Sequence, residues 1–276
     1  MEPSLRHLPR VVDVAGVTVA ERDAVIPADA ARIAFLAHWS EAEGQSRSTL
    51  RLVAELQRLG YRVVVSSTSP APGHLDFAAD DVRLDELVVL RRPNIGYDFG
   101  SWAVAMSAHE HVLDRPYVLV LNDSLVGPFA PLDDVVAHFE ETTADVWGMV
   151  ESNQFASHLQ SFFRGFRYGV LAEPVMRRFW ADLRVIEDKN ALIQHYEFGF
   201  TAFLARNCFS STPFVHHSAV VGEGLNPTIH GWRNLFDAGV PFVKRELVRY
   251  PDLARDGRRI PAVIAERYGT DVADWL

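Results

Sequence analysis

Asn122-Asp123-Ser124 ends the apolar run 117–121, and Gly127-Pro128 breaks the chain soon after it. A carboxylate between an amide and a hydroxyl at the carboxyl end of a buried strand is placed to meet a ligand, because open α/β sheets bind ligands there. Asp123 could hold a hard divalent cation such as Mg²⁺ or Mn²⁺ through oxygen, with phosphates and waters completing the shell. The competing reading is a turn alone, since Asn, Asp and Ser readily hydrogen-bond their own backbone. A second cluster, NIGYDFG at 94–100, opens a helix. Asn94, Gly96 and Asp98 bring together free backbone N–H groups, a close backbone approach and a carboxylate able to cap the helix. A phosphate-bearing ligand suits such a terminus; a capped helix after a tight turn is the plainer alternative.

In HLQSFF, His158 and Gln160 share a face if the segment is extended. With Ser161 they could bind a hydroxyl-rich ligand such as a sugar, the neighbouring aromatic rings stacking on it; a polar turn competes. Glu197 sits in HYEFGF between Tyr196 and Phe198. An acid among aromatics is costly to bury unless it is paired or its pKa is raised, which is how a general base is tuned. Glu197 is therefore the first candidate for a proton acceptor and Asp145 the reserve, against the alternative that Glu197 lies on a solvated helix face. His216 and His217 are adjacent, and on a strand they would point to opposite faces, so at most one serves a site. His217 is the one expected to join Asp123 around a metal. Arg233, Lys244 and Arg245 offer cations for a diphosphate, each equally readable as surface charge.

The chain has 276 residues, 48% of them hydrophobic and 23% charged, with a net charge of −9. This is the composition of a globular protein with a sizeable core. No basic face for nucleic acid is expected. Cys208 is the only cysteine, so no intrachain disulfide or Cys-rich zinc site can form; it reads as a small buried hydrophobe. The first residues carry charges and prolines rather than a signal-like apolar run. A cytoplasmic protein is expected, with peripheral contact at the inner face of the membrane compatible with a lipid-borne substrate.

These residues need a scaffold, and the pattern supplies one. RIAFLAHWS, YRVVVSSTSP, DELVVLRR, YVLVLNDS and ADVWGMVES read as strands. They alternate with helical stripes in SRSTLRLVAELQRLG, YDFGSWAVAMSAHEHV and PLDDVVAHFEET. Such alternation with short links predicts a Rossmann-type, mostly parallel sheet flanked by helices. An edge strand is expected within 11–19, helices in EPVMRRFWADL and ALIQHYEFGFTAFLARN, and a strand in STPFVHHSAVV. The chain is read as a single domain, with 1–152 forming the half that binds the activated ligand and 153–276 the acceptor and catalytic half.

The ordered set NIGYDFGSW, LVLNDSLVGP, DVWGMVES, HLQSFF, YEFGFT, NPTIHGW and PFVKRELVR resembles the rhamnan synthesis protein F family over about 32–250, nearly the whole chain. Trp147 follows Val146 where the family more often has Phe before Trp. The resemblance implies a GT-A-like fold and a nucleotide-sugar donor, dTDP-L-rhamnose being the expected one. It also implies an inverting transfer to a glycan or lipid-linked glycan acceptor in building a bacterial cell-surface polysaccharide. In transferases of this plan, an acidic triplet after the fourth strand holds a metal or the donor's ribose and diphosphate. Here the triplet has one acid, which keeps a non-catalytic sugar- or nucleotide-binding protein open as the alternative, and a metal-dependent sugar-nucleotide hydrolase as a third. On this resemblance Asn94, Gly96, Asp98, Asn122, Asp123, Ser124, Arg233 and Lys244 bind the donor. His158, Gln160 and Ser161 orient a sugar.

Overall fold

Residues 33–37 send their side chains alternately into two apolar layers, Ile33, Phe35 and Ala37 into one, Ala34 and Leu36 into the other. A strand buried on both faces belongs inside a sheet covered by helices on both sides. The computed structural model, which describes residues 5–14, 16 and 18–276, places it there. Among the described residues the strands are β1 (Val19–Asp23), β2 (Arg32–His38), β3 (Arg62–Ser67), β4 (Leu87–Arg91), β5 (Tyr117–Asn122), β6 (Leu125–Val126), β7 (Val146–Ser152), β8 (His158–Leu159), β9 (Phe163–Arg167), β10 (Ser211–Val215) and β11 (Val243–Lys244). The main sheet runs β1-β4-β3-β2-β5-β9-β7-β10, with β8 beside β7; β6 and β11 form a separate ribbon. β4, β3, β2 and β5 are mutually parallel, and β10 is parallel to β7. β1, β8 and β9 run against their neighbours. The expected α/β class with a mostly parallel sheet is what the chain forms.

Helices α1 (Val11–Val14), α2 (Arg47–Arg58), α3 (Tyr97–Ala108), α4 (Asp133–Glu141), α5 (Pro174–Ala181), α6 (Lys189–Leu192) and α7 (Gly199–Arg206) pack around this sheet. Trp102 of α3, Trp180 of α5 and Phe200 of α7 fill one face; Leu52 and Leu56 of α2 and Phe139 of α4 fill the other. Ser46 caps α2 by accepting from Thr49 N, as the Ser-rich start of that segment suggests. Short helices α8 (Pro227–His230), α9 (Trp232–Asp237), α10 (Arg245–Arg249) and α11 (Ile260–Tyr268) follow. They enclose a third apolar cluster with Val126 and Val243 of the ribbon. No helix among the described residues is long and apolar enough to cross a membrane.

The five expected strands and three connecting helices stand where the pattern put them; other expectations need correction. The region 11–19 is split: Val11–Val14 is helical, and the edge strand begins at Val19. Ala15 and Val17 lie outside the described residues. The aromatic stretch after Ser152 holds β8 and β9, and β9 inserts antiparallel between β5 and β7, so the main sheet draws on both halves of the chain. FRGFR does not read as a central strand because Arg164 and Arg167 break its apolar pattern, yet both are buried. Arg164 spends its charge over the Phe200 ring at 4.9 Å and donates to Leu159 O at 2.6 Å. Cys208 is exposed, at a positive-φ position just after α7, rather than buried.

Gly165 marks how closely α4 approaches β9. A Cβ there would lie 2.2 Å from the Phe139 ring, so Gly165→Ala forces a packed ring out of place. Overpacking of this kind typically costs ~1–3 kcal/mol. A lowered midpoint in thermal or urea unfolding is the expected result, and an unchanged midpoint would contradict this packing.

Candidate active site

Asp123 follows the last residue of β5, and its Oδ2 accepts from Trp39 N at 2.8 Å. Trp39 follows β2, so the strand ends themselves bring the two together. Arg245 Nε donates to Asp123 O at 3.2 Å, and Arg245 N donates to Ser124 O at 2.9 Å. The ribbon pairing of β11 with β6 sets this contact. Arg245 and Arg249 are four residues apart on α10, and both charges favour ionised Asp123. Burial outweighs them and pushes the Asp123 carboxyl up to about 6.

Asp98 was expected to cap α3. It does not: the cap residue is Gly96 and no side chain caps that terminus. Instead Asp98 Oδ2 accepts from Asn122 Nδ2 at 2.6 Å. Asn122 Oδ1 in turn accepts from Ser124 N at 3.1 Å and Ser124 Oγ at 2.6 Å. The triplet therefore acts as a bracket: Asn122 holds Asp98 and Ser124, while Asp123 points to the rim. Burial first, and then the charge of Asp123, raise Asp98 to about 7. Both acids are half-buried. Asp98 and Asp123 each offer carboxylate oxygens, the ligand type a hard divalent cation takes, and such a cation would relieve the charge that Asp123 places on Asp98.

Gly96 and Gly100 turn out to serve packing. A Cβ at Gly96 would lie 2.9 Å from a Val11 methyl, and one at Gly100 would lie 2.2 Å from Ile95 O. They let α3 start against its own loop and α1, rather than opening space for a ligand. Asn94 is exposed on that loop.

Glu197 belongs to a π turn, Ile193–Phe198, that joins α6 to α7. Such turns widen the helix by one residue and recur at functional sites. Glu197 Oε1 accepts from Ser161 N at 2.8 Å and from Ser161 Oγ at 3.0 Å. Ser161 lies beside the triplet, because Asn122 N donates to Phe162 O at 3.1 Å. Two donors thus meet the cost of placing Glu197 among aromatics. Its charge is felt at Asp98, at His158 and at Arg164, which burial lowers to about 10. The structure brings Asp98, Asp123, Ser161 and Glu197 to one rim.

Other expected site residues do different work. Ser161 donates to Glu197 through both its backbone N and its Oγ. His158 is buried, its Nδ1 2.7 Å from Ala156 O and its ring edge-on to Phe198 at 4.5 Å. Burial holds its pKa below the usual histidine range. Gln160 is buried and donates to Asn226 Oδ1 at 3.3 Å. Both shape the floor more than they offer themselves. Asp145 stands at the wrong end of the sheet: it precedes β7, and its Oδ2 accepts from Ser210 N and Oγ, each at 2.7 Å. The rest of β7 separates it from the rim, roughly 20 Å at strand rise. Asp145 is a structural cap and not a reserve base.

His217 does not meet Asp123. β5 and β10 are three places apart in the sheet, on the order of 14 Å at normal strand spacing. His217 instead lies 3.0 Å from Glu151. The opposite-faces expectation for His216 and His217 also fails, because β10 ends at Val215 and both rings turn to one side, 4.3 Å apart. Arg233 is half-buried on α9, and Lys244 pairs with Glu246 at 3.7 Å; the cations acting on Asp123 are Arg245 and Arg249. Among the residues missed in the sequence, Trp39 is 43% exposed beside Asp123. His38 is buried, 2.9 Å from Ser67 Oγ, and burial drives its pKa down to about 4. The signal for both was available, since each ends a strand of the parallel sheet as Asp123 does. A groove of about 910 Å³ lies elsewhere, between Arg47, Phe129, Tyr268 and Trp275. Its rings are engaged with each other and with Arg47.

Comparison with known proteins gives two groups of relatives and a family. The virulence protein VirA of Vibrio anguillarum is 28% identical over 205 residues, covering 60% of this chain and 65% of that protein. The uncharacterized protein y4gN of Sinorhizobium fredii is 27% identical over 197 residues, covering 69% of this chain and 49% of that protein. The chain thus spans less than two thirds of the length of either relative. The family model for RgpF, rhamnan synthesis protein F, matches residues 77–270, which takes in α3, the Asn122-Asp123-Ser124 bracket, Ser161, Glu197 and α10. The chain belongs to the rhamnan synthesis protein F family, a family of polysaccharide synthesis.

Proposed function

We propose that the chain is an inverting glycosyltransferase that moves a sugar from a nucleoside diphosphate to an acceptor hydroxyl, with dTDP-L-rhamnose as donor. The observation that carries this reading is the meeting of Asp98, Asp123 and Glu197 at the carboxyl ends of the parallel strands, with Arg245 against Asp123. A donor's diphosphate needs positive charge, and Arg245 and Arg249 provide it. The open face of Trp39 offers a stacking surface for the base or sugar.

Asp98 and Asp123 fit a Mg²⁺ or Mn²⁺ ion, which when bound would neutralise charge on the diphosphate. Glu197 takes the proton from the acceptor hydroxyl. The freed oxygen bonds to the anomeric carbon from the side opposite the diphosphate. The bond from that carbon to the diphosphate oxygen breaks, its electron pair leaves with the nucleoside diphosphate, and the configuration inverts. Ser161 keeps one oxygen of Glu197 occupied, so the other is the one aimed at the proton. The acceptor is a glycan or a lipid-linked glycan, and in the second case the protein works at a membrane surface. The lone acid of the triplet favours binding without catalysis; Asp98, which follows β4 and bonds Asn122 across β3 and β2, adds a second acid and supports the transferase reading.

Calorimetry with dTDP and dTDP-L-rhamnose, in Mn²⁺ and in EDTA, tests the reading on wild type and Asp123→Ala. Cation-dependent binding, weakened at least about tenfold in the variant, is expected, since the ion that would hold the diphosphate loses one of its carboxylate ligands. Absence of binding by wild type under every condition would overturn the donor assignment. Release of free sugar without acceptor, at a rate no acceptor improves, would indicate a hydrolase.

A further inference from the structure

We infer that Glu151, His216 and His217 bind a divalent first-row transition-metal ion of the Zn²⁺ kind, at a site separate from the acid pair. Glu151 lies near the carboxyl end of β7, and the histidines follow β10, its parallel neighbour. His216 Nε2 is 2.9 Å and His217 Nδ1 is 3.0 Å from the same oxygen, Glu151 Oε2. One ligand atom from each residue lies within 4.8 Å of those from the other two.

Two N–H groups donating to one carboxylate oxygen would give these distances. So would an ion between them. With metal–ligand bonds of about 2.0–2.1 Å, adjacent ligand atoms stand roughly 2.9 Å apart in an octahedron and roughly 3.3 Å apart in a tetrahedron. Two of the three ligands already have a partner able to orient them. Glu151 Oε1, the other oxygen, accepts from Ser157 Oγ at 3.0 Å. His216 Nδ1 is 2.8 Å from Ser218 Oγ. Metal binding through Nε2 puts the ring proton on Nδ1, donated to Ser218 Oγ, in place of the longer contact of 3.3 Å in which Nδ1 accepts from Ser218 N. Two imidazoles with one carboxylate select Zn²⁺, Co²⁺ or Ni²⁺ over Mg²⁺ and Ca²⁺.

The site is open on one side: Glu151 and His217 are 17% exposed and His216 is 54% exposed. Solvent can complete the shell there. An ion would fasten the turn after β10 to β7. The segment beyond that turn is tied to the same region, with Gly224 N donating to Asn153 Oδ1 at 3.0 Å and Asn226 Nδ2 to Gln154 Oε1 at 3.0 Å. Asn226 is also the partner of Gln160. The metal would therefore hold the loop that braces the floor of the rim. None of this rests on the transfer reading.

The test is Co²⁺ and Zn²⁺ binding to the chelator-treated full chain, followed by calorimetry and by the visible absorption of bound Co²⁺. One equivalent is expected, with affinity about tenfold or more weaker in His217→Gln and in His216→Ala, whose exposed side chain can be removed with little effect on folding. The double variant Asp98→Asn/Asp123→Asn is expected to keep this equivalent. No binding by wild type, binding unchanged in both histidine variants, or binding lost only in the aspartate variant would each overturn the assignment.

Discussion

Glu197→Gln is expected to lower kcat by about 10²–10⁴-fold, the usual contribution of a positioned general base, while leaving donor affinity within a few-fold of wild type. Gln keeps the shape and still accepts from Ser161 N and Oγ through its carbonyl oxygen, so the π turn keeps its anchor. What it loses is the basic oxygen. Single-turnover transfer with saturating donor, beside donor binding by calorimetry, separates the two effects. Loss of binding in step with turnover would make Glu197 a donor-site residue. Full turnover in the variant would remove it from the chemistry. Ser161→Ala serves as a companion: with one of its two donors removed, Glu197 is held less firmly, and a fall in kcat smaller than that of Glu197→Gln is expected.

Asp98→Asn is expected to weaken cation-dependent donor binding and, at the same time, to make the unliganded protein more stable at pH 8. The folded carboxyl of Asp98 is raised to about 7 from an ordinary value of 3.8, mainly by burial and then by Asp123. The folded state therefore binds the proton more tightly than the unfolded chain does. Wild-type stability falls as pH rises from about 4 to about 7, and the penalty persists above that. Asn has no charge to bury and can still accept from Asn122 Nδ2. The stability difference should be near zero at pH 4 and reach about 1–3 kcal/mol by pH 8, below the full value of the shift because half-buried Asp98 keeps part of its hydration. Urea unfolding at pH 4.5, 6 and 8 measures it. A difference independent of pH would mean that Asp98 is not strained by its charge. Unaltered cation-dependent binding would take Asp98 out of the ion's shell.

The sequence by itself determined the scaffold. Five apolar runs separated by capped, amphipathic helices specify a mostly parallel sheet, because burial on both faces and short crossovers leave few other arrangements. It also determined which end of the sheet Asp123 occupies, since a residue that follows a strand sits at its carboxyl end. The same rule, applied to Asp145, places it at the amino end, and that signal was there to be read. The order of the short motifs carried the family.

The tertiary structure decided who meets whom. Asp98 and Asn122 come together only because β4 and β5 flank β3 and β2 with their carboxyl ends in register. Ser161 reaches Glu197 only because β9 inserts antiparallel beside β5 and a π turn reorients the facing helix. Periodicity reports an element's buried face, but it is blind to contacts across dozens of residues. It is also misled where buried arginines interrupt a strand, as in β9. The two histidines turn together toward Glu151 because β10 stops one residue before them. Strand alternation governs side-chain direction only while the extended backbone lasts.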